Sequence, residues 1–404
     1  MDGKAAKRPR CCYLVHARHA RPRWMSTIRQ MRISVLDQSP VPDGLTGPDA
    51  LRNTLELAQL CDRLGYHRYW VAEHHGGPVL AGAAPEVLIG PLAMATSRIR
   101  VGSGGVMLPH YSPLKVAETF SLLAGLFPDR IDLGLGRASG TDPLTTFALQ
   151  RDRSQASPDD FPAQLAELLA YLDDSLPADH PFKRLAATLP GIPSRPQPWL
   201  LGSSPQSAIW AAELGIPYAF ADFINPNGAP LAADYRRRHA AAHTGHASQT
   251  AVAVWVICAE SDDEALYLAA SGQMMLQLLR QGKLIKIPPP EQAIKYLRQV
   301  QERIGPGAGG AHDAHPAGAA ASGGLTGGRR AVTGSPATVA AKLQEVAGEY
   351  GADEVIAVNI IYDHAARLRS YELLAQALLE PPAAHASHLR DQARSGPVAG
   401  ANKT

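Results

Sequence analysis

Short apolar runs and helix-length segments alternate along this chain eight times. The runs predicted as strands are Ile33–Asp37, His67–Ala72, Arg100–Val106, Ile131–Leu135, Pro198–Leu201, Tyr218–Ala221, Ala251–Cys258 and Glu354–Val358. The helices between them carry ordinary start and stop signals. In Pro48–Leu64, for example, Leu51, Leu55, Ala58 and Cys61 recur on one face and Gly65 closes the segment. Parallel strands need a crossover of about helix length, and repeating that unit builds an α/β fold. Eight units over roughly 350 residues predict a (β/α)8 TIM barrel with insertions after strands 4 and 7. A doubly wound open sheet is the alternative. It would place a Gly-rich phosphate loop after its first strand, and Asp37-Gln38-Ser39-Pro40-Val41-Pro42 cannot form one.

The barrel domain is expected over residues 31–380. Residues 1–30 read as a disordered basic extension, since nine Lys and Arg up to Arg32 face only Asp2. Met25 and Met31 are both plausible starts. Residues 381–404 read as a disordered tail, and Gly305–Gly328 as a mobile Gly/Ala-rich insertion. The formal net charge of +2 argues against a nucleic-acid partner. No run is long enough to span a bilayer, and residues 1–30 lack a secretory apolar core. Cys11, Cys12, Cys61 and Cys258 have no metal-ligand spacing, which suggests a reduced cytoplasmic protein without disulfides.

Unusual residues collect where strands end, and in a parallel barrel that is where chemistry sits. Asp37, Gln38 and Ser39 end the first strand, and Glu73-His74-His75 the second. Asp37, Gln38 and Ser39, with Met107 beyond the third strand, are expected to line a substrate pocket. His74 is a candidate general base or hydrogen-bond donor oriented by Glu73, with a pKa suited to proton transfer near neutrality. His75 is the better candidate for a satisfied structural histidine. A metal reading would need a third ligand; His110 is the only nearby one, so none is assigned. Gly104-Gly105 can let backbone approach a flat ligand, tolerate a non-proline cis bond, or simply bend the strand into its loop. Ser203 and Ser204 open a helix whose free amides suit an anion, with Ser207 one turn in and Arg137 able to add a bidentate fork. The plainer alternative is that Ser204 caps the helix and Arg137 pairs with a surface acid.

Together these blocks resemble the bacterial luciferase-like flavin monooxygenase family. The likeness runs from Met31 to about Leu379. It rests on Leu36-Asp37-Gln38-Ser39-Pro40, Ala72-Glu73-His74-His75, Gly102 to Pro109, Phe127 to Arg137, and Leu200-Leu201-Gly202-Ser203-Ser204. The resemblance implies the same barrel and a bound FMN, taken as FMNH2 from a separate flavin reductase. It implies a phosphate held by Arg137, Ser203, Ser204 and Ser207, a ring against a cis peptide at Gly104-Gly105, and His74 at the reactive edge. It further implies O2 as co-substrate, a flavin C4a-peroxide that oxygenates a small organic substrate, and a homodimer. Two departures stand out. Barrel phosphate sites most often follow strands seven and eight, whereas this one would follow strands four and five. Luciferases carry an acidic residue where Ser203 stands, so light emission is not implied.

Two other functions share this frame. An F420-dependent oxidoreductase would transfer hydride without O2, and a non-catalytic flavin-binding partner subunit would bind without turnover. The substrate itself is not readable. Residues 138–160 and 282–330 are expected to cover its pocket.

Overall fold

The computed structural model describes residues 31–137, 142–154, 160–304 and 331–379. The segments expected to be disordered or mobile, 1–30, 305–328 and 381–404, lie outside them. Strands β1 (Arg32–Asp37), β2 (Arg68–Val71), β3 (Arg100–Met107), β4 (Ile131–Gly136), β5 (Gln197–Gly202), β6 (Tyr218–Ala221) and β7 (Thr250–Cys258) pair in sequence order, all parallel. After β8 (Ala331–Gly334) comes β9 (Glu354–Val358), which pairs with both β7 and β1 and closes the cylinder. The predicted eighth barrel strand is therefore β9. The unpredicted β8 is an added strand beside the far half of β7, with Trp255 opposite Ala331 and Cys258 opposite Gly334.

Around the barrel run α1 (Gly47–Leu64), α2 (Pro85–Ala95), α3 (Pro113–Leu126), α4 (Pro143–Leu149), α5 (Phe161–Leu172) and α6 (Lys183–Ala186). They are followed by α7 (Pro205–Leu214), α8 (Ala229–Ala242), α9 (Asp262–Arg280), α10 (Pro290–Ile304), α11 (Pro336–Tyr350) and α12 (His364–Leu378). None of the described helices is long and apolar enough to cross a membrane. Helix α4 lies inside what the sequence presents as a polar loop. Its start signal is local: Asp142 accepts from the Leu144 and Thr145 amides, and Pro143 takes the first turn.

Alternation along each strand divides the core in two. Outward residues such as Val35, Val71, Val101, Leu133 and Val254 pack beneath the helices. Inward residues fill the barrel unevenly. Trp70 and Trp199 meet edge to face, ring centres 5.4 Å apart, while the buried inward residues of β6 and β7 are Ala219, Ala251 and Ala253, with Trp255 packed beside them. Ala219, Ala221 and Ala253 border the space that stays open.

The opposite end is plugged by charge. Arg68, at the start of β2, donates to Glu354 Oε1 and Oε2 at 2.6 and 3.1 Å and to Asp132 Oδ2 at 2.6 Å. Its guanidinium lies 4.6 Å from the Trp199 ring centre. Arg100 holds the other Asp132 oxygen at 2.6 and 2.9 Å, and Trp70 Nε1 donates to Asp132 at 3.0 Å. Ser34 Oγ donates to Glu354. Buried charges persist when paired and hydrogen-bonded in this way.

Candidate active site

The open end forms a cavity of about 350 Å³, lined by residues from several strand ends. Strand phase decides which side chains reach it. On β1, Leu36 and Gln38 face the cavity, and Asp37 between them does not. Asp37 is fully buried on the outer side, accepting from Tyr69 Oη at 2.5 Å, Arg367 Nη2 at 2.7 Å and the Ser39 amide at 2.8 Å. Burial alone would raise its carboxyl, but Arg367 and Tyr69 bring it below the usual carboxylate range. Ser39 also turns away, its hydroxyl accepting from Thr54 at 2.9 Å. Asp37 and Ser39 are thus corrected from pocket residues to residues that tie β1 to α12 and α1. Gln38 and Met107 do line the cavity.

The same phase governs β2 and its continuation. Trp70, Ala72 and His74 line the cavity. Glu73 borders the cavity too, but its carboxylate is turned to His75, two residues on, and Glu73 Oε1 contacts His75 Nε2 at 2.8 Å. Glu73 also accepts from Tyr111 Oη at 3.1 Å and from the Met107 amide at 2.9 Å. The expectation that Glu73 orients His74 is corrected: its carboxylate holds His75 and clamps the end of β3 to β2. His74 Nδ1 is buried with no hydrogen-bond partner among the described residues. Burial, reinforced by His75, pushes the His74 pKa down to about 4, so its imidazole is neutral at pH 7.

At the end of β3, Gly104 and Gly105 are joined by a cis peptide, and the register with β4 slips between Gly104 and Val106. Neither position has room for a side chain. A Cβ on Gly104 would lie 2.6 Å from Leu36 Cδ1, and one on Gly105 would lie 2.8 Å from the Gly134 carbonyl oxygen. Both therefore present bare backbone to the cavity.

Across from them, Arg137, Ser203, Ser204 and Ser207 line the wall made by β4, β5 and α7. Ser204 caps α7, accepting from the Ser207 amide at 3.5 Å. Ser207 donates back to the Ser204 carbonyl at 2.8 Å and meets Tyr218 Oη at 3.0 Å. Ser204 is thus a helix cap that also faces the cavity, and the Ser207 hydroxyl is already engaged. The exposed Arg137 has no acidic partner among the described residues. Its guanidinium lies 5.7 Å from the ring centre of Trp210 on α7. Asn225, which donates to the Ser203 carbonyl at 2.9 Å, steadies this corner and was not singled out in the sequence. Nor were the wall residues Phe161, Trp210, Phe223 and Ile224, whose aromatic and apolar types look like ordinary core until the fold places them. Among the described residues, no three His, Cys, Asp or Glu are grouped to hold a metal ion.

A closed parallel barrel with a cavity at the strand ends places the protein among the (β/α)8-barrel proteins. The family profile described as luciferase-like monooxygenase matches residues 31–354, and the chain belongs to that family. YwcH of Bacillus subtilis is 41% identical over 352 residues, 86% of this chain and 99% of its own. A luciferase-like monooxygenase of Escherichia coli K12 is 38% identical over 348 residues, 86% and 97% of the two chains. The N-acetyl-S-alkylcysteine monooxygenase of B. subtilis is 37% identical over 349 residues, 86% and 98%. Among solved structures, apo-MsnO8 superposes with a TM-score of 0.74 at 40% identity, covering 88% of this chain and 99% of its own. Two more distant structures share the fold. One is the oxygenating constituent of 3,6-diketocamphane monooxygenase from Pseudomonas putida in complex with FMN, with TM-score 0.63, 18% identity, and 86% and 98% coverage. The other is an F420-dependent secondary alcohol dehydrogenase in complex with an F420-acetone adduct, with TM-score 0.56, 13% identity, and 87% and 100% coverage.

Proposed function

We propose that this protein is the oxygenase component of a two-component monooxygenase, using reduced FMN from a separate reductase and O2 to oxygenate a small organic molecule. One observation carries the reading. A bare Gly104-Gly105 backbone, an imidazole with an open Nδ1, and a guanidinium beside α7 all border one cavity. A flavin needs such a surface, and the residues present fit it. Arg137, the Ser203 hydroxyl and the α7 amides would take the phosphate through charge-assisted bonds and the positive helix end. Gly104-Gly105 would lie against the ring.

When bound, reduced flavin supplies the electrons that activate O2. The chain does the rest. Apolar walls exclude water. The neutral His74 can accept a proton or a hydrogen bond at Nδ1. Glu73 keeps the Gly104-Gly105 surface in place through the Met107 amide. A homodimer in a reduced cytosol belongs to the same reading, and light scattering on the purified chain tests the dimer.

Anaerobic titration followed by oxygen-electrode measurement tests the function. FMN should bind more tightly than riboflavin, and O2 uptake should begin when reduced FMN is supplied. Equal affinity for the two flavins would remove the phosphate site. Substrate-driven reduction of F420 without O2 would replace the oxygenase with a hydride-transfer enzyme. Flavin binding without turnover on any substrate would point to a partner subunit.

A further inference from the structure

Gln38 is 8% exposed, lines the cavity, and makes no hydrogen bond to any described residue. Its carboxamide therefore opens onto the cavity instead of being satisfied by the protein. Here its neighbours prevent it from turning elsewhere. Asp37 is anchored to Arg367 and Tyr69, and Ser39, with a left-handed φ of 50°, is anchored to Thr54. The Ser39 carbonyl also accepts from the Ala81 amide at 2.9 Å. Gln38 is thus fixed in the inward phase of β1 by contacts on both sides.

We propose that Gln38 selects the substrate, and that the substrate is a neutral, largely apolar molecule bearing a carbonyl or amide group. The proposal rests on the flavin reading above, which assigns Arg137 and Ser203 to the phosphate. Of the other polar side chains on the cavity wall, Glu73 already accepts three bonds, and Ser204 and Ser207 bond each other and the α7 cap. Gln38 and His74 remain, just past the ends of the adjacent strands β1 and β2. The carboxamide offers an N–H donor and a carbonyl acceptor side by side, which matches an amide and supplies a donor to a ketone. Among the described residues no cationic side chain stands with them on this wall, so a substrate carboxylate would meet no counter-ion there. Leu36, Trp70 and Ile356 enclose the same region with apolar surface. A pocket built to hydrogen-bond a group rejects analogues lacking it far more strongly than it resolves a methylene.

The test uses FMN-loaded protein and follows probe binding by the change in flavin absorbance. The probes are cyclohexanone against cyclohexane, N-butylacetamide against the alkane of the same length, and hexanoate as the anionic control. Wild type should bind the ketone or the amide at least tenfold more tightly than the matched hydrocarbon and than hexanoate. The near-isosteric Gln38→Met should bring the carbonyl-to-hydrocarbon ratio within twofold. A wild type that treats the pairs alike, including one that binds neither, overturns the proposal without any variant. So does a ratio that survives in Gln38→Met, or an FMN affinity that falls tenfold in that variant, which would assign Gln38 to the cofactor. Failure of wild type to bind FMN is seen before any probe is added. It overturns the flavin reading and this one together, whereas the other outcomes leave the flavin reading standing.

Discussion

Strand β2 joins two opposite solutions to burying polar groups. At its start, Arg68 is 3% exposed, and its guanidinium is bonded to Glu354 and Asp132. At its other end, His74 keeps a buried ring nitrogen with no partner among the described residues, and Gln38, also unbonded to them, lines the same cavity. At the first end the Arg68 guanidinium can be bonded on every side because nothing needs to enter. The second is left unsatisfied where a bound molecule can complete it, and that loss of stability is tolerated at functional sites. The contrast between Arg68 and His74 shows that the two ends of this one strand differ more in whether the protein meets their polar groups than in how polar they are.

Substitutions at the two ends should therefore fail in opposite ways. His74→Ala is expected to lower product formation by about 10²–10⁴-fold, the usual span for a lost acid–base group. Its melting temperature should hold or rise, since a buried unpaired nitrogen is removed; a large fall in melting temperature would make His74 structural. Asp132→Ala should do the reverse. Leaving Arg68 and Arg100 without their shared carboxylate costs about 3–5 kcal/mol of stability, read as a shift in urea midpoint. If Asp132→Ala unfolds at the wild-type midpoint, the plug is not what secures the closed end.

The sequence made the open end more legible than the closed one. Residues at strand ends advertise themselves as local clusters, and Glu73-His74-His75 is visible at a glance. Pairing within the cluster was misread because neighbours in an extended chain point to opposite sides. Period two alone assigns Glu73 to His75 and sends His74 inward, just as it separates Gln38 from Asp37 and Ser39. The plug gives no such local sign. Arg68 lies 64 residues from Asp132 and 286 from Glu354, so only the closed barrel brings them together. Likewise β8, with Val332 its one large apolar residue, gives no strand signal, and the polar residues around α4 mask it despite a proper Asp142–Pro143 start.

A smaller effect sharpens the open end. Arg137→Ala should weaken FMN binding by about 1.5–3 kcal/mol, the range for a charge-assisted bond, and leave riboflavin affinity where it was. Isothermal titration with both flavins reads the difference. If both weaken equally, Arg137 acts through the ring or through Trp210 and the phosphate lies elsewhere.

The smallest expected effect compares two histidines seven positions apart, one at each end of β2. Burial holds His67 and His74 each down to about 4 from an ordinary value of 6.5. Glu354 works against that shift at His67, while Arg68 and Arg32 support it. A depressed histidine pKa means the unfolded chain takes up the proton first. Stability is therefore full above pH 6.5, falls as pH drops toward about 4, and loses nothing further from these groups below that. Gln substitutions at His67 and at His74 should each flatten part of that slope in urea titrations run across the window. Saturating FMN separates the two contributions. A ligand that engages His74 changes the slope in the His67→Gln variant and leaves it as it was in the His74→Gln variant. Equal FMN sensitivity in both variants would mean that the flavin does not touch the imidazole at the open end.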